Sequence, residues 1–136
     1  MIIIGVDFGD KRTGLAISDK NGFLASPAGT ILDTRLEKVA EKIVDFANKN
    51  NAEKIILGYP KNMNNTEGPR AEKTRELKET IEKLSGIPLI LMDERVTTVM
   101  AHNIFNESGV KGKKRKENID TLSATIILQD YLDSAK

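Results

Sequence analysis

Ile2, Ile3, Ile4, Gly5, Val6, Asp7, Phe8, Gly9, Asp10, Lys11, Arg12, Thr13 and Gly14 form the stretch from which the fold can be read. An apolar run bounded by turn residues predicts a buried strand over residues 2 to 7, and Asp7 closes it. A carboxylate at the end of a rigid, otherwise apolar strand is costly to bury unless a cation or a hydrogen-bond donor compensates it. Gly14 to Ser18 predicts a second strand, and a connection as short as Gly9 to Thr13 favours an antiparallel hairpin. The turn itself admits three readings: a backbone cradle for phosphate of the kind used by sugar-kinase and actin-like ATPases, the flank of a metal site, or a plain hairpin. A Walker A loop is absent, because no glycine is followed by Lys and then Ser or Thr at the required spacing.

Working outward, Phe23 to Ile31 can hold a third strand, with Pro27 marking it as an edge or interrupted strand. The period then changes. Thr34 and Glu37 are spaced as a capping box, and Leu36, Val39, Ala40, Ile43, Phe46 and Ala47 follow at helical intervals. Lys54 to Gly58 predicts a short strand, Tyr59 to Gly68 a polar, turn-rich loop, and Pro69 the first residue of a helix. Ala71, Thr74, Leu77, Ile81 and Leu84 are the inner stripe of that helix, which Gly86 ends. Ile87 to Met92 is another buried strand, leading into Asp93, Glu94 and Arg95. A further helix is expected from Thr97 or Thr98 to Gly109, and a last one from Asn118 to Asp133, after the basic stretch Lys111 to Lys116. Strands joined through helices run parallel with right-handed crossovers, so this order predicts an α/β fold with a mixed sheet and helices on its faces.

The chain has 136 residues, the size of one ordinary domain, so residues 1–136 are read as a single unit. Lys and Arg number 21 and Asp and Glu 20, a formal charge of +1 that does not by itself announce a nucleic-acid or membrane binder. There is no cysteine, which excludes disulfides and thiolate metal sites and suits a reducing cytosol. The apolar opening Met1 to Val6 is shorter than a signal-peptide core and has no basic flank, so a cytoplasmic protein is expected.

Three carboxylates occupy unusual places. Asp7 ends the first strand, Glu94 follows the last strand, and Asp120 lies in the final helix. If the first and last parallel strands are neighbours or flank one common strand, Asp7 and Glu94 lie within one or two strand spacings of ~4.8 Å. On a helical wheel Asp120 shares a face with Ala124, Ile127 and Tyr131, which turns it inward. An inward acid needs a metal, a buried cation or backbone amides as its partner. Hard oxygen ligands with a single histidine and no cysteine favour Mg²⁺ or Mn²⁺ over zinc. Blander readings stand beside this one: a strand-end Asp is often a turn former, and an acid in a first helical turn suits the macrodipole. Asp93 competes with Glu94, since neighbours on an extended segment face opposite sides.

Basic residues collect in two places. Lys111, Lys113, Lys114, Arg115 and Lys116 precede Asp120, while Lys61, Arg70, Lys73 and Arg75 surround the polar loop and the helix after it. Singly, each is a solvated charge run. The first leads into the helix that carries a candidate metal ligand, where it can hold a phosphate backbone. With only 2 Tyr, 4 Phe and no Trp, base-stacking platforms are scarce, so recognition by backbone and shape is expected. His102, the only histidine, is expected on the surface and is given no role.

Four spaced segments resemble the YqgF family: Gly5 to Gly9 with Lys11 to Gly14; Leu57 to Asn64 with Glu67 to Ala71; Asp93, Glu94 and Arg95 with Thr97 and Thr98; and Asp120, Leu122, Ser123 and Ala124. The resemblance runs in order over essentially the whole chain. Proteins of that family are described as Holliday junction resolvases and as nucleases that mature the 5′ end of pre-16S ribosomal RNA. It implies an RNase H-like fold with a five-stranded mixed sheet in the order 3-2-1-4-5 and helices on both faces. It also implies Asp7, Glu94 and Asp120 as metal-binding catalytic acids, with Arg12 and Arg95 as phosphate contacts. Tyr59 and Asn65 depart from the family's common apolar residue and glycine, and both departures bear on substrate preference.

The resulting expectation is a phosphodiester-hydrolysing nuclease acting on structured RNA in ribosome biogenesis, with two Mg²⁺ or Mn²⁺ ions held by Asp7, Glu94 and Asp120. Arg12, Lys61, Arg70, Arg95, Lys113, Lys114 and Arg115 are the expected nucleic-acid contacts. A resolvase of four-way DNA junctions is the alternative within the enzyme class, and it requires a symmetric dimer where the RNA nuclease can be monomer or homodimer. A non-catalytic nucleic-acid-binding module is the alternative outside that class. An actin-like ATPase ranks last, because such enzymes close two domains around a nucleotide.

Overall fold

The computed structural model describes residues 1–9, 11–59, 69–93 and 112–134, with the backbone alone at residues 59, 69, 70, 93 and 112–120. Within them lie strands β1 (Ile3–Asp7), β2 (Arg12–Ser18) and β3 (Ala25–Leu32), helix α1 (Leu36–Lys49), strand β4 (Lys54–Tyr59), helix α2 (Pro69–Leu84), strand β5 (Leu89–Asp93) and helix α3 (Gly112–Ser134). The five strands form one sheet in the order β3-β2-β1-β4-β5, as the resemblance implied. β1 pairs antiparallel with β2 and parallel with β4, and β5 joins β4 in parallel. The expected polar loop beyond Tyr59, the helix from Thr97 or Thr98, and His102 lie outside the described residues.

Alternation along the strands separates two apolar clusters. Ile4, Val6 and Phe8 of the first strand and its turn pack with Leu15, Ile55 and Leu57 against α1 and α2. Ile3, Ala16 and Ile56 point the other way and pack under α3 with Ala124, Ile127, Leu128 and Leu132. Helices therefore cover both faces of the sheet. In α2 the expected stripe holds at Ala71, Thr74, Leu77 and Ile81, all fully buried, but Leu84 is 49% exposed, since the helix ends there and turns its last residue outward.

Several boundaries differ from expectation for local physical reasons. β2 begins at Arg12, so the hairpin turn is shorter than Gly9 to Thr13. A Cβ at Gly9 would lie 2.1 Å from the Arg12 carbonyl oxygen, and only glycine fits there. β3 is an edge strand, as Pro27 suggested. It carries a bulge, because Leu15 pairs with Gly29 and Ala16 with Pro27, leaving Ala28 over, and Gly29 supplies a φ of 121° beside it. The capping box at Thr34 and Glu37 is not formed. The N-cap of α1 is Arg35, with no side-chain cap bond, and Asp33 shapes the helix entry by accepting hydrogen bonds from the Arg35 backbone N–H (2.9 Å) and guanidinium (3.2 Å). At the other end Asn51 takes a φ of 54°, and the amides of Asn51 and Ala52 bond back to Asn48 and Ala47 as in a Schellman turn.

α3 begins at Gly112 rather than Asn118. Lys113 to Lys116 therefore lie in its first turns rather than in a loop, because Lys and Arg propagate a helix well and Gly112 is the last breaker before them.

Candidate active site

Asp7, Gly5 and Ile3 share one face of β1, the face covered by α3. Gly5 determines how closely that helix approaches. A Cβ at Gly5 would lie 2.8 Å from the Leu128 Cβ and 2.9 Å from the Ala124 carbonyl oxygen, so a hydrogen atom is all the space allows. A lone glycine inside a strand pattern marks such a close approach, and this was the available signal in the sequence.

The sheet register carries the position of Asp7 across to α3. Asp7 pairs with Gly14 and Gly14 with Thr30 on β3. The hydroxyl of Thr30 lies 3.1 Å from that of Thr121, the residue after Asp120. At the opposite end of the sheet, Lys54 Nζ donates to the Tyr131 hydroxyl at 3.0 Å. Gln129 accepts from the Ala25 N–H at 2.8 Å and donates to the Phe23 carbonyl at 2.9 Å. α3 thus runs antiparallel to β1, with its Asp120 end at the Asp7 end of the strand. Sequence reasoning did not single out this anchoring by Thr30, Thr121 and Gln129, since the partners lie up to 106 positions apart.

β4 lies between β1 and β5, so the flanking arrangement the three-acid reading required is present. Val6 pairs with Leu57 and Leu57 with Leu91, which puts Asp93, the last residue of β5, two positions beyond the Val6 row. Glu94, Lys61 and Arg95 lie outside the described residues. Asp120 is the ninth residue of α3, one turn before the buried Ala124. Arg12, at the start of β2, is partly buried, opposite Leu32 and two residues from Gly14, on the parity of Asp7. Arg70 is the second residue of α2, on the far side of the sheet, and Lys113, Lys114 and Arg115 follow Gly112 in α3. Among the described side chains there is no group of three His, Cys, Asp or Glu residues able to hold a metal; those of Glu94 and Asp120 are not included.

Two fully buried hydroxyls have no hydrogen-bond partner among the described residues: Thr13 Oγ1, on the parity of Leu15, and Ser123 Oγ, on α3. An unsatisfied buried hydroxyl costs about 1–3 kcal/mol. Ser123 lies one helical turn after Asp120 on α3, and carboxylates such as Asp7 and Asp120 are the donor type a hard divalent cation takes.

Membership of a known family agrees with this architecture. The family model described as "RuvX: Holliday junction resolvase" matches residues 1–134. A protein of Ruminiclostridium cellulolyticum named "Putative pre-16S rRNA nuclease" is 44% identical over 134 residues, covering 98% of this chain and 94% of that protein. One of the same name from Listeria innocua is 43% identical over 136 residues, covering 98% and 99%. Among solved structures, Thermus thermophilus RuvC superposes with a TM-score of 0.59 at 11% identity, covering 99% of this chain and 96% of that one. The Fowlpox virus resolvase in complex with Holliday junction DNA reaches 0.62 at 16% identity, covering 99% of each. These two likenesses establish the fold, RNase H-like and shared with RuvC. The motif order, the sheet order and the full-length match together show that the chain belongs to the RuvX, or YqgF, family of nucleases.

Proposed function

We propose that this nuclease hydrolyses phosphodiester bonds of structured RNA, in the 5′-end maturation of pre-16S ribosomal RNA, using Asp7, Glu94 and Asp120 as the acids of a divalent-ion site. The observation that carries the reading is the seating of α3 on Gly5, with Thr121 tied to Thr30 in the Asp7 row, so that the Asp120 turn of the helix meets the Asp7 end of β1. Alternation along β5 supports Glu94 over Asp93. Ile90 and Met92 belong to the cluster under α3, while Asp93 has the parity of Leu89 and Leu91 on the other side. Mg²⁺ or Mn²⁺, as two ions, would supply activation of a water and stabilisation of the leaving oxygen.

The chain's own residues account for binding. α3 starts with Lys113, Lys114, Arg115 and Lys116 and has no acid in its first turn. Cations there add to the positive end of the helix dipole rather than cancel it, which is unfavourable for the helix and attractive for phosphate. From Thr121 back to Gly112 the helix extends ~13 Å past the Asp7 row at 1.5 Å per residue, so this charge projects beyond the acids, where a nucleic-acid backbone would run. Arg12, on the parity of Asp7, is a further phosphate contact. Lys61, Arg70 and Arg95 complete the proposed set, which reads shape and backbone rather than bases.

The test is to incubate wild type and Asp7→Asn with labelled precursor RNA and with a four-way DNA junction, each with Mg²⁺ or Mn²⁺. Wild type should cut the RNA and Asp7→Asn should not, while retaining its fold and its RNA binding. Metal-dependent cleavage surviving in Asp7→Asn would overturn the assignment of the acids. Paired symmetric cuts in the junction alone would transfer the substrate to DNA, and binding without cleavage by the wild type would leave a non-catalytic module.

A further inference from the structure

Some hydroxyls on the helices, and one just past the end of α2, are returned to the helix backbone. Thr80, Ser85 and Thr125 each donate to the carbonyl four residues earlier, at 2.8, 3.2 and 2.8 Å. Ser123 does not. Its side chain is fully buried, and its Oγ has no partner among the described residues, the Ile119 carbonyl one turn earlier included. Alanine would pack in its place without the desolvation penalty, so a packing role gives no reason for the oxygen.

Its direction is informative. At about 100° per residue, Thr121 and Ser123 flank opposite sides of the line from Asp120 to Ala124. Thr121 faces β3 through Thr30, so the Ser123 side of α3 faces β1 and β4. Ile127, on the same side, packs in the cluster with Ile56 of β4. Ser123 is therefore a buried hydroxyl on the inner flank of the helix, one turn from Asp120, with its hydrogen uncommitted.

Resting on the divalent-ion reading above, we propose that Ser123 is a positioning residue of the metal site: its hydroxyl is withheld from the helix backbone so that it can hydrogen-bond an oxygen ligand of the bound ion, carboxylate or water. Groups of this kind orient the ligands, and their removal typically weakens metal binding roughly 10–100-fold. The hydroxyl neither touches the scissile phosphate nor transfers a proton.

The experiment compares wild type, Ser123→Ala and Asp7→Asn by Mn²⁺ titration, following free Mn²⁺ by electron paramagnetic resonance, and by thermal melting with and without Mn²⁺. Ser123→Ala should bind Mn²⁺ roughly ten-fold more weakly or worse. Its metal-free melting temperature should equal or exceed that of wild type, because the variant no longer buries an unsatisfied group. Unchanged Mn²⁺ affinity in Ser123→Ala, with binding lost in Asp7→Asn, would overturn this inference and leave the nuclease site standing. A lower metal-free melting temperature would make Ser123 a packing residue and overturn it as well. If wild type takes up no Mn²⁺ at all, the divalent-ion reading fails and this inference with it.

Discussion

On one face of the sheet Ile4, Val6, Leu15, Ile55 and Leu57 interdigitate with large side chains of α1 and α2, among them Val39, Ile43, Leu77 and Ile81. On the other, Gly5 and Ala16 let α3 come down almost onto the backbone, and the contacts beside it are polar: Thr30 with Thr121, Gln129 with the start of β3, and the solitary Ser123. The first face is a mainly apolar core, with Thr13 and Thr74 buried among its hydrocarbon side chains, where tolerance is set by volume. The second trades side-chain bulk for closeness, and its precision is set by where one helix rests. Stability and function should therefore respond differently to changes on the two faces.

Ile43→Ala should have the largest effect on stability. The residue is fully buried under the sheet, and its truncation should cost about 2–5 kcal/mol, read by urea denaturation. Cleavage per folded molecule should remain near wild type, because the α3 face is untouched; a proportionate loss of activity would break the distinction between the faces. Gly5→Ala is the converse test. Its methyl group would overlap Leu128 and the Ala124 carbonyl and must lift α3, at a cost of about 1–3 kcal/mol. Cleavage should fall far more than that destabilisation accounts for, and activity retained in full would mean that the seating of α3 does not govern the site.

The smallest effect is expected away from both faces, at the entry to α1. The Arg35 guanidinium and backbone N–H, with Lys42 nearby, hold the Asp33 carboxyl well below the usual carboxylate range. A folded-state pKa depressed in this way stabilises the protein above the ordinary carboxylate value of about 4, and that contribution is lost as pH falls through it toward the folded value. Asp33→Asn should lower the melting temperature slightly at neutral pH, with the gap from wild type closing on acidification below about pH 4. A gap that widened in acid would contradict the pairing. Cleavage should not change.

The legible parts of the molecule were those where the signal is local. The apolar run Ile2 to Asp7, the short hairpin, Pro27 at an edge and Pro69 at a helix start are each decided within a few residues, and each matched. The capping box did not form because the helix takes Arg35 rather than Thr34 as its N-cap, which puts Glu37 at the second helical position instead of the third, while Asp33 accepts from the Arg35 amide. The start of α3 was placed too late because a dense run of like charge reads as a solvated loop, while tertiary packing of the helix beyond it carries the helix back through Lys113. Of the candidate site, the wheel reading of Asp120 concerns a side chain outside the described ones, while the strand-end position of Asp7 was visible in the sequence. Thr30, Gln129 and the isolation of Ser123 were not, since a hydrogen bond between distant segments, or the lack of one, leaves no periodic trace.

By itself the sequence determined the element types and order and the family, because these follow from bounded apolar runs, from the helical period of 3.6 and from spaced motifs. Only the tertiary structure decided which face Asp7 shares, how near α3 comes to it and which buried hydroxyls stay unpaired among the described residues. Those depend on the contact of Gly5 with Leu128, two residues far apart in the chain whose separation is governed by the absence of a single Cβ.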